Sequence, residues 1–178
     1  VDGYGAAAEK GLIEAYDSPT AKEIPDKYKD PKHYWTGVYV GVLGFCSNQK
    51  VLEEKGLQVP QSWDDLLKPE LKGQISTAHP STSGTAFTTL WTQVVLRGSE
   101  DAGLDYMKKM HANVLQYTKS GTAPGQIAGR GEVAVGLVFS HDCVKYRDEG
   151  MKDLVVSFPK EGTGYEIGGV ALVKNSRR

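Results

Sequence analysis

The sequence predicts an α/β layer fold with a largely parallel sheet, and three observations carry that expectation. Strand-like and helical stretches alternate from end to end. Two of the strand-like runs, Gly37 to Ser47 and Val133 to Phe139, are continuous small, apolar and β-branched residues, as in strands covered on both faces. The length of 178 residues fits one domain, or one domain with pieces of another.

Taken in order, Ala6 to Ala15 has a short helical pattern, with Leu12 and Ile13 on one side and Gly11 interrupting it. Residues 16–34 read as loop, punctuated by Ser18-Pro19, Ile24-Pro25 and Asp30-Pro31. After the Gly37–Ser47 strand, Asn48 is placed to cap a short helix over Val51 to Lys55 that Gly56 stops. Ser62-Trp63-Asp64-Asp65 is close to a capping box, and Pro69 and Gly73 end that turn. A brief strand, Gln74 to Ala78, leads through Pro80-Ser81-Thr82-Ser83-Gly84 into a helix from Thr85 to Leu96. Glu100 to His111 is the next helix, Val114 to Tyr117 a strand, and a helix of about two turns ends at Ala128. Val133 to Phe139 follows, then a helix opened by His141-Asp142 and running to Glu149. Leu154 to Phe158 and Gly168 to Val173 complete the strands.

In such sheets the loops leaving the strands' C-terminal ends line the ligand crevice. The loops at 79–85, 118–122 and 140–142 all follow expected strands and should gather on one edge.

Composition narrows the classes of function. With 39% hydrophobic and 24% charged residues the chain has the make-up of a globular domain, and no apolar run is long enough to span a bilayer. A net charge of −1, without clustered Lys and Arg among aromatics, argues against nucleic acid as a partner. Val1-Asp2-Gly3-Tyr4-Gly5 reads as the middle of a loop, and Lys174 to Arg178 stops just after a strand-like run, so the chain is read as a piece of a longer polypeptide. Cys46 and Cys143 match no metal spacing; two small buried residues are preferred over a disulfide, which an oxidising compartment would favour.

Ser83-Gly84-Thr85 and Ser120-Gly121-Thr122 each stand where a polar loop hands over to a helix. There, hydroxyls and first-turn N–H groups point outward beside the positive end of the helix dipole, which suits phosphate, phosphonate, sulfate or carboxylate. The competing reading is a cap that satisfies its own helix. Neighbouring Ser81 and Thr82 make the first loop richer in hydroxyls than capping needs, and the pairing of two loops on one edge favours an anion seat. Asp142 and His141 are either an N-cap and a surface residue respectively, or a polar pair suited to sugar hydroxyls. Glu166, in the glycine-rich stretch Glu161 to Gly169, is either a solvated loop charge or a carboxylate reaching a cleft.

Nucleophile elbows, His-Glu-x-x-His and Cys-x-x-Cys are missing from the sequence, so no catalytic residue, metal ligand or cofactor site is assigned. His33, His79 and His111 fall in unrelated segments and read as surface or structural residues. Tyr34, Trp35 and Tyr39 read as core or hinge packing, with a stacking platform as the alternative.

At Ala8-Glu9-Lys10-Gly11-Leu12, Tyr34-Trp35-Thr36-Gly37-Val38-Tyr39-Val40-Gly41, Ser62-Trp63-Asp64-Asp65-Leu66-Leu67, Ser83-Gly84-Thr85, Gly131-Glu132-Val133-Ala134-Val135-Gly136 and Pro159-Lys160-Glu161-Gly162-Thr163 the chain resembles the solute-binding proteins of ABC importers, in the group that contains ferric-iron and sugar-phosphate binders. The resemblance implies a type II periplasmic-binding-protein-like fold, two α/β lobes joined by hinge strands and closing on ligand. On that reading 1–36 are the end of the first lobe and the hinge approach. Residues 37–160 are the second lobe with a mixed, largely parallel sheet, and 161–178 are the hinge return and the start of a first-lobe strand.

The resemblance also implies a non-enzymatic protein in the periplasm, or lipid-anchored outside the cell in a Gram-positive source, that delivers a small anionic solute to a membrane permease. Its ligand set would be Thr82, Ser83, Gly84, Thr85, Ser120, Gly121 and Thr122 for the anion, with His141, Asp142 and Glu166 for the ligand body. A sugar phosphate is the expected solute, a ferric ion the alternative, and a phosphonate or other organic anion a third. Ferric-iron members bind through adjacent tyrosines, and no Tyr-Tyr pair occurs here. A chain carrying one lobe could also self-associate through surface that the other lobe would cover.

Overall fold

The structure, a computed structural model, describes residues 2–177; Val1 of the expected opening loop and Arg178 of the expected tail lie outside them. The elements in chain order are α1 (Asp2–Glu9), β1 (Ile13–Glu14), β2 (Thr36–Asn48), α2 (Gln49–Glu54), β3 (Ile75–Ala78), α3 (Gly84–Arg97), α4 (Glu100–His111), β4 (Val114–Thr118), α5 (Ala123–Gly129), β5 (Val135–Phe139), α6 (Ser140–Asp148), β6 (Leu154–Ser157), β7 (Tyr165–Val170) and β8 (Leu172–Val173). Short 3-10 turns cover Pro19–Ala21, Asp26–Tyr28, Asp64–Leu67 and Pro69–Leu71. The chain forms two compact units, Val1–Gly41 with Glu166–Arg178, and Val42–Tyr165.

The larger unit, 42–165, has the expected α/β construction. Its strands lie in the order β4-β3-β5-β2-β6. β3 runs parallel to β4 and β5, whereas β2 is antiparallel to both β5 and β6. Four strands therefore share one direction and β2 alone opposes them, so the sheet is mixed yet largely parallel.

Alternate residues of the central strands enter different cores, as the two-residue period of a strand requires. Leu43, Phe45, Val135, Leu137 and Phe139 join Trp63, Leu66, Tyr106 and Met110 on one face. Cys46 and Val138 join Ile127, Cys143, Tyr146 and Leu154 on the other. Trp63 is fixed by edge contacts with the rings of Phe45 and Tyr106, and its indole N–H donates to the Gly162 carbonyl at 3.0 Å.

Local signals act largely as the sequence implies. Asn48 accepts from the Val51 N–H and caps α2, and Gly56 at φ 65° stands beyond its end. The capping box is reciprocal: Ser62 Oγ accepts from the Asp65 N–H, and the Asp65 carboxylate accepts from the Ser62 and Gln61 N–H groups. It opens a 3-10 turn rather than a longer helix, because Pro69 follows within a few residues.

Several expectations are corrected. The first helix occupies Asp2–Glu9, where a loop was expected to start, and stops before Gly11. Gly11 at φ 65°, with the Leu12 N–H donating to the Ala7 carbonyl, closes it in a Schellman arrangement, which frees Ile13 and Glu14 to pair with β8. The strand expected over Gly37–Ser47 is buried on both faces only from Leu43 onward, where β5 and β6 flank it; Val38 and Tyr39 are exposed. Gly168 to Val173 is divided between β7 and β8.

The largest correction concerns the cysteines, which form a disulfide between Cys46 and Cys143, 97 residues apart, with a Cα separation of 5.6 Å. The β2–β5 register sets Cys46 opposite Gly136, and α6 then folds back over that face and delivers Cys143 to it. A bond closing so long a loop contributes about 2–5 kcal/mol.

In the smaller unit, Tyr16, Trp35, Val38 and Leu172 are among the residues lining a cavity of about 320 Å³, and none of the expected site residues lines it. Trp35 is half-buried packing there, whereas Tyr39 stands exposed on β2 close to Gly168. Among the described residues no helix is long and apolar enough to cross a membrane, and no group of His, Cys, Asp and Glu is arranged to hold a metal.

Candidate functional site

Because β3, β4 and β5 run parallel, their C-terminal ends share one edge of the sheet. The loops at 79–83, 119–122 and the start of α6 emerge there, and specific contacts tie them together. The His79 N–H donates to the Thr118 carbonyl at 2.9 Å, joining the end of β3 to the end of β4. Thr82 Oγ1 lies 3.2 Å from the His79 carbonyl and 3.1 Å from the Lys119 carbonyl, so its single hydroxyl proton is engaged in stapling the two loops. Gly121 packs against Ser83 and Thr85 so closely that a Cβ there would lie 2.7 Å from Ser83 Oγ and 2.8 Å from Thr85 Cβ. The two Ser-Gly-Thr segments are thus in direct contact.

Hydroxyl chemistry differs from residue to residue. Ser83 Oγ accepts from the Ala86 N–H at 3.4 Å as the cap of α3, which leaves its own O–H to donate elsewhere. Gly84 and Thr85 lie in the first turn of this helix of 14 residues, where backbone N–H groups have no intrahelical acceptor. Ser120 Oγ and Thr122 Oγ1 are 2.9 Å apart and share one proton, so the other is available outward. Both cap and anion seat are therefore compatible at Ser83, because capping uses an oxygen lone pair and anion binding uses the proton.

His141 and Asp142 occupy the first turn of α6, whose start has no side-chain cap. Their side chains approach to 3.8 Å between Nε2 and Oδ1, with the carboxylate largely buried and the imidazole half exposed. The His141 ring stacks on Phe139, 5.9 Å between centroids and 17° between planes, which fixes the imidazole at the mouth of β5. Glu166 is half-buried in β7 and belongs to the smaller unit.

Sequence reasoning passed over three features of this edge. Tyr146 donates from its hydroxyl to the Thr122 carbonyl at 3.2 Å, linking α6 to the second Ser-Gly-Thr loop. Its helical spacing from Cys143, on a helix whose other residues except Val144 are polar, was the available signal. His79 and His111 are not unrelated: both rings contact Tyr117, one edge-on at 5.7 Å and one stacked at 5.6 Å. Burial pushes the Tyr117 phenol above its ordinary pKa, and its oxygen lies 2.9 Å from His111 Nδ1. Finally, His79 Nδ1 accepts from the Ser81 N–H at 3.2 Å and lies 2.7 Å from Ser81 Oγ, so this imidazole shapes the loop that ends at Ser83.

Hydroxyls, the N-termini of α3 and α6 and a His-Asp pair stand together on this edge of the larger unit. Known proteins agree with that architecture. A protein of Haemophilus influenzae is 43% identical over 182 residues, covering 99% of this chain and 52% of its own length. The structure of the periplasmic binding protein AfuA from Actinobacillus pleuropneumoniae, with exogenous fructose-6-phosphate bound, superposes with a TM-score of 0.89 at 45% identity, over 96% of this chain and 55% of that one. The periplasmic binding protein P5PA superposes with a TM-score of 0.86 at 35% identity, again over 96% of this chain and 55% of that one. The chain therefore spans about half the length of the relatives it matches. The type II periplasmic-binding-protein fold follows from these likenesses. Residues 3–178 match the family model described as bacterial extracellular solute-binding protein, and the chain belongs to that family.

Proposed function

We propose that this chain is part of the extracytoplasmic solute-binding component of an ABC importer, that it works in the periplasm or anchored outside the cell, and that it delivers a sugar phosphate to a membrane permease. The observation that carries this reading is the direct packing of Gly121 on Ser83 and Thr85, which joins two hydroxyl-bearing loops into one seat at the N-terminus of α3. The outward O–H of Ser83, the shared hydroxyls of Ser120 and Thr122, and the first-turn N–H groups of Gly84 and Thr85 would hold the phosphate. Asp142 would accept from sugar hydroxyls and His141 would orient it. Thr82 acts in this scheme by stapling the loops together. The sugar phosphate in the related AfuA structure supports the choice of ligand class.

A helix N-terminus supplies only about 0.3–2 kcal/mol toward an anion. Micromolar affinity, about 8 kcal/mol, therefore requires the hydroxyls and the sugar contacts as well.

Calorimetric titration of the full-length protein with glucose 6-phosphate, inorganic phosphate, an aminoalkylphosphonate and ferric citrate tests the reading. Binding of the sugar phosphate in the micromolar range, with much weaker inorganic phosphate, is expected. A strong ferric response with silence from the sugar phosphate would replace it with iron uptake. Asp142→Ala should weaken glucose 6-phosphate by about tenfold or more and inorganic phosphate little. Equal loss for both ligands would sink the assigned division of labour.

A further inference from the structure

The first turn of α6 carries His141 and Asp142. Its preceding residue, Phe139, provides no side-chain cap. Within this helix of nine residues only Cys143 and Tyr146 are buried, three positions apart and so on one face. Those two residues make the connections that matter. Cys143, adjacent to Asp142, is covalently joined to Cys46 on β2, the one strand that opposes the others in the larger unit. Tyr146 donates to the carbonyl of Thr122, the last residue of the second Ser-Gly-Thr segment.

We infer that the Cys46–Cys143 bond and the Tyr146–Thr122 hydrogen bond are positioning devices that keep His141 and Asp142 in register with the phosphate seat, so that the disulfide sets selectivity for a sugar phosphate over phosphate alone. The inference rests on the function proposed above. A helix start without a cap opens readily, because its first N–H groups gain nothing from staying helical. If loss of the bond leaves the turn competent about a tenth of the time, the apparent dissociation constant of any ligand that needs it rises about tenfold. A ligand held only by the two Ser-Gly-Thr segments escapes that penalty, since neither segment lies on α6 and α3 keeps its own cap.

Two disulfide-free variants of the full-length protein, Cys46→Ala/Cys143→Ala and the fuller Cys46→Val/Cys143→Ala, are compared with wild type by hydrogen exchange and by titration. Tyr146→Phe removes the hydroxyl without disturbing the disulfide. The expected result is exchange accelerated about tenfold or more at the hydrogen-bonded amides of residues 143–146, with α3 and β3 unchanged. Glucose 6-phosphate affinity should fall about tenfold while inorganic phosphate stays within about twofold, and Tyr146→Phe should move the ratio the same way by a smaller factor.

Exchange that rises evenly over the larger unit, or equal loss for both ligands, would show a purely structural bond and overturn the inference. So would failure of both disulfide-free variants to fold. Should wild type bind neither ligand, the proposed function fails on its own, while the exchange pattern still decides whether the bond holds the turn.

Discussion

Replacing Gly121 by alanine perturbs the junction of the two Ser-Gly-Thr segments with a single methyl group. The added Cβ would lie 2.7 Å from Ser83 Oγ and 2.8 Å from Thr85 Cβ, well inside contact distance. Neither neighbour can swing aside cheaply. Thr85 Cβ is fixed to the backbone of the first turn of α3, and Ser83 Oγ is engaged as the helix cap by the Ala86 N–H. Relief by moving Ser83 forfeits a cap worth about 1 kcal/mol. Relief by separating the loops strains the Thr82 staple and belongs with overpacked sites, which cost about 1–3 kcal/mol. The expected destabilisation is therefore about 2 kcal/mol, read from the midpoint of urea unfolding at unchanged slope. Inorganic phosphate affinity should fall about tenfold in the same protein, since the seat must open before it can bind. A variant that loses less than about 0.5 kcal/mol and keeps its phosphate affinity would refute the view that these loops form one seat.

Other expectations follow from the core of the larger unit. Asn113 is buried and its Nδ2 donates to the carbonyls of Leu66 and Lys68, so Asn113→Ala should cost about 2 kcal/mol in a denaturation series. Burial pushes the Asp65 carboxyl up, but the N–H groups of Gln61 and Ser62 and the Lys68 ammonium outweigh it and hold it below 3.8. Its contribution is thus whole above that value and lost as pH falls through the lower folded-state value, so Asp65→Asn should destabilise at neutral pH and become neutral in strong acid. Burial lifts the Tyr106 phenol far above its ordinary 10.0, against the opposing pull of Arg97, and its hydroxyl donates to the Trp63 carbonyl. Stability should therefore decline as pH rises past the unfolded value, and Tyr106→Phe should remove that decline at a cost of about 1 kcal/mol at neutral pH.

The parts of the fold that were legible in the sequence are those governed by neighbours along the chain. Asn48, Ser62, Asp65 and Gly56 act through bonds or dihedrals within a few residues, so their capping and stopping roles could be read directly. The convergence of the three loops was legible too, because parallel strands separated by helices fix which ends share an edge. The disulfide was not, since the 5.6 Å between Cys46 and Cys143 depends on the register of β2 against β5 and on the return of α6. The contact of Gly121 with Ser83 and the hydrogen bond from Tyr146 to Thr122 were hidden for the same reason: each joins segments tens of residues apart. At the other end, Gly11 had more influence than the helical pattern around it, because one left-handed residue ends a helix whatever follows.

The reversed direction of β2 sets a timetable for the nascent chain. Its partners β5 and β6 and its bonded cysteine arrive late, the latter 97 residues downstream. At a synthesis rate of about 5–20 residues per second, Leu43, Phe45 and the thiol of Cys46 wait roughly 5–20 s for their neighbours to exist. During that interval β3, α3 and β4 can begin to pair locally, but the strand that divides the two cores has nothing to lie against. The earliest apolar strand of the larger unit is therefore among the last to be sheltered. Delayed assembly of this kind suits a polypeptide held extended until complete, and penalises one that is released to collapse as it grows.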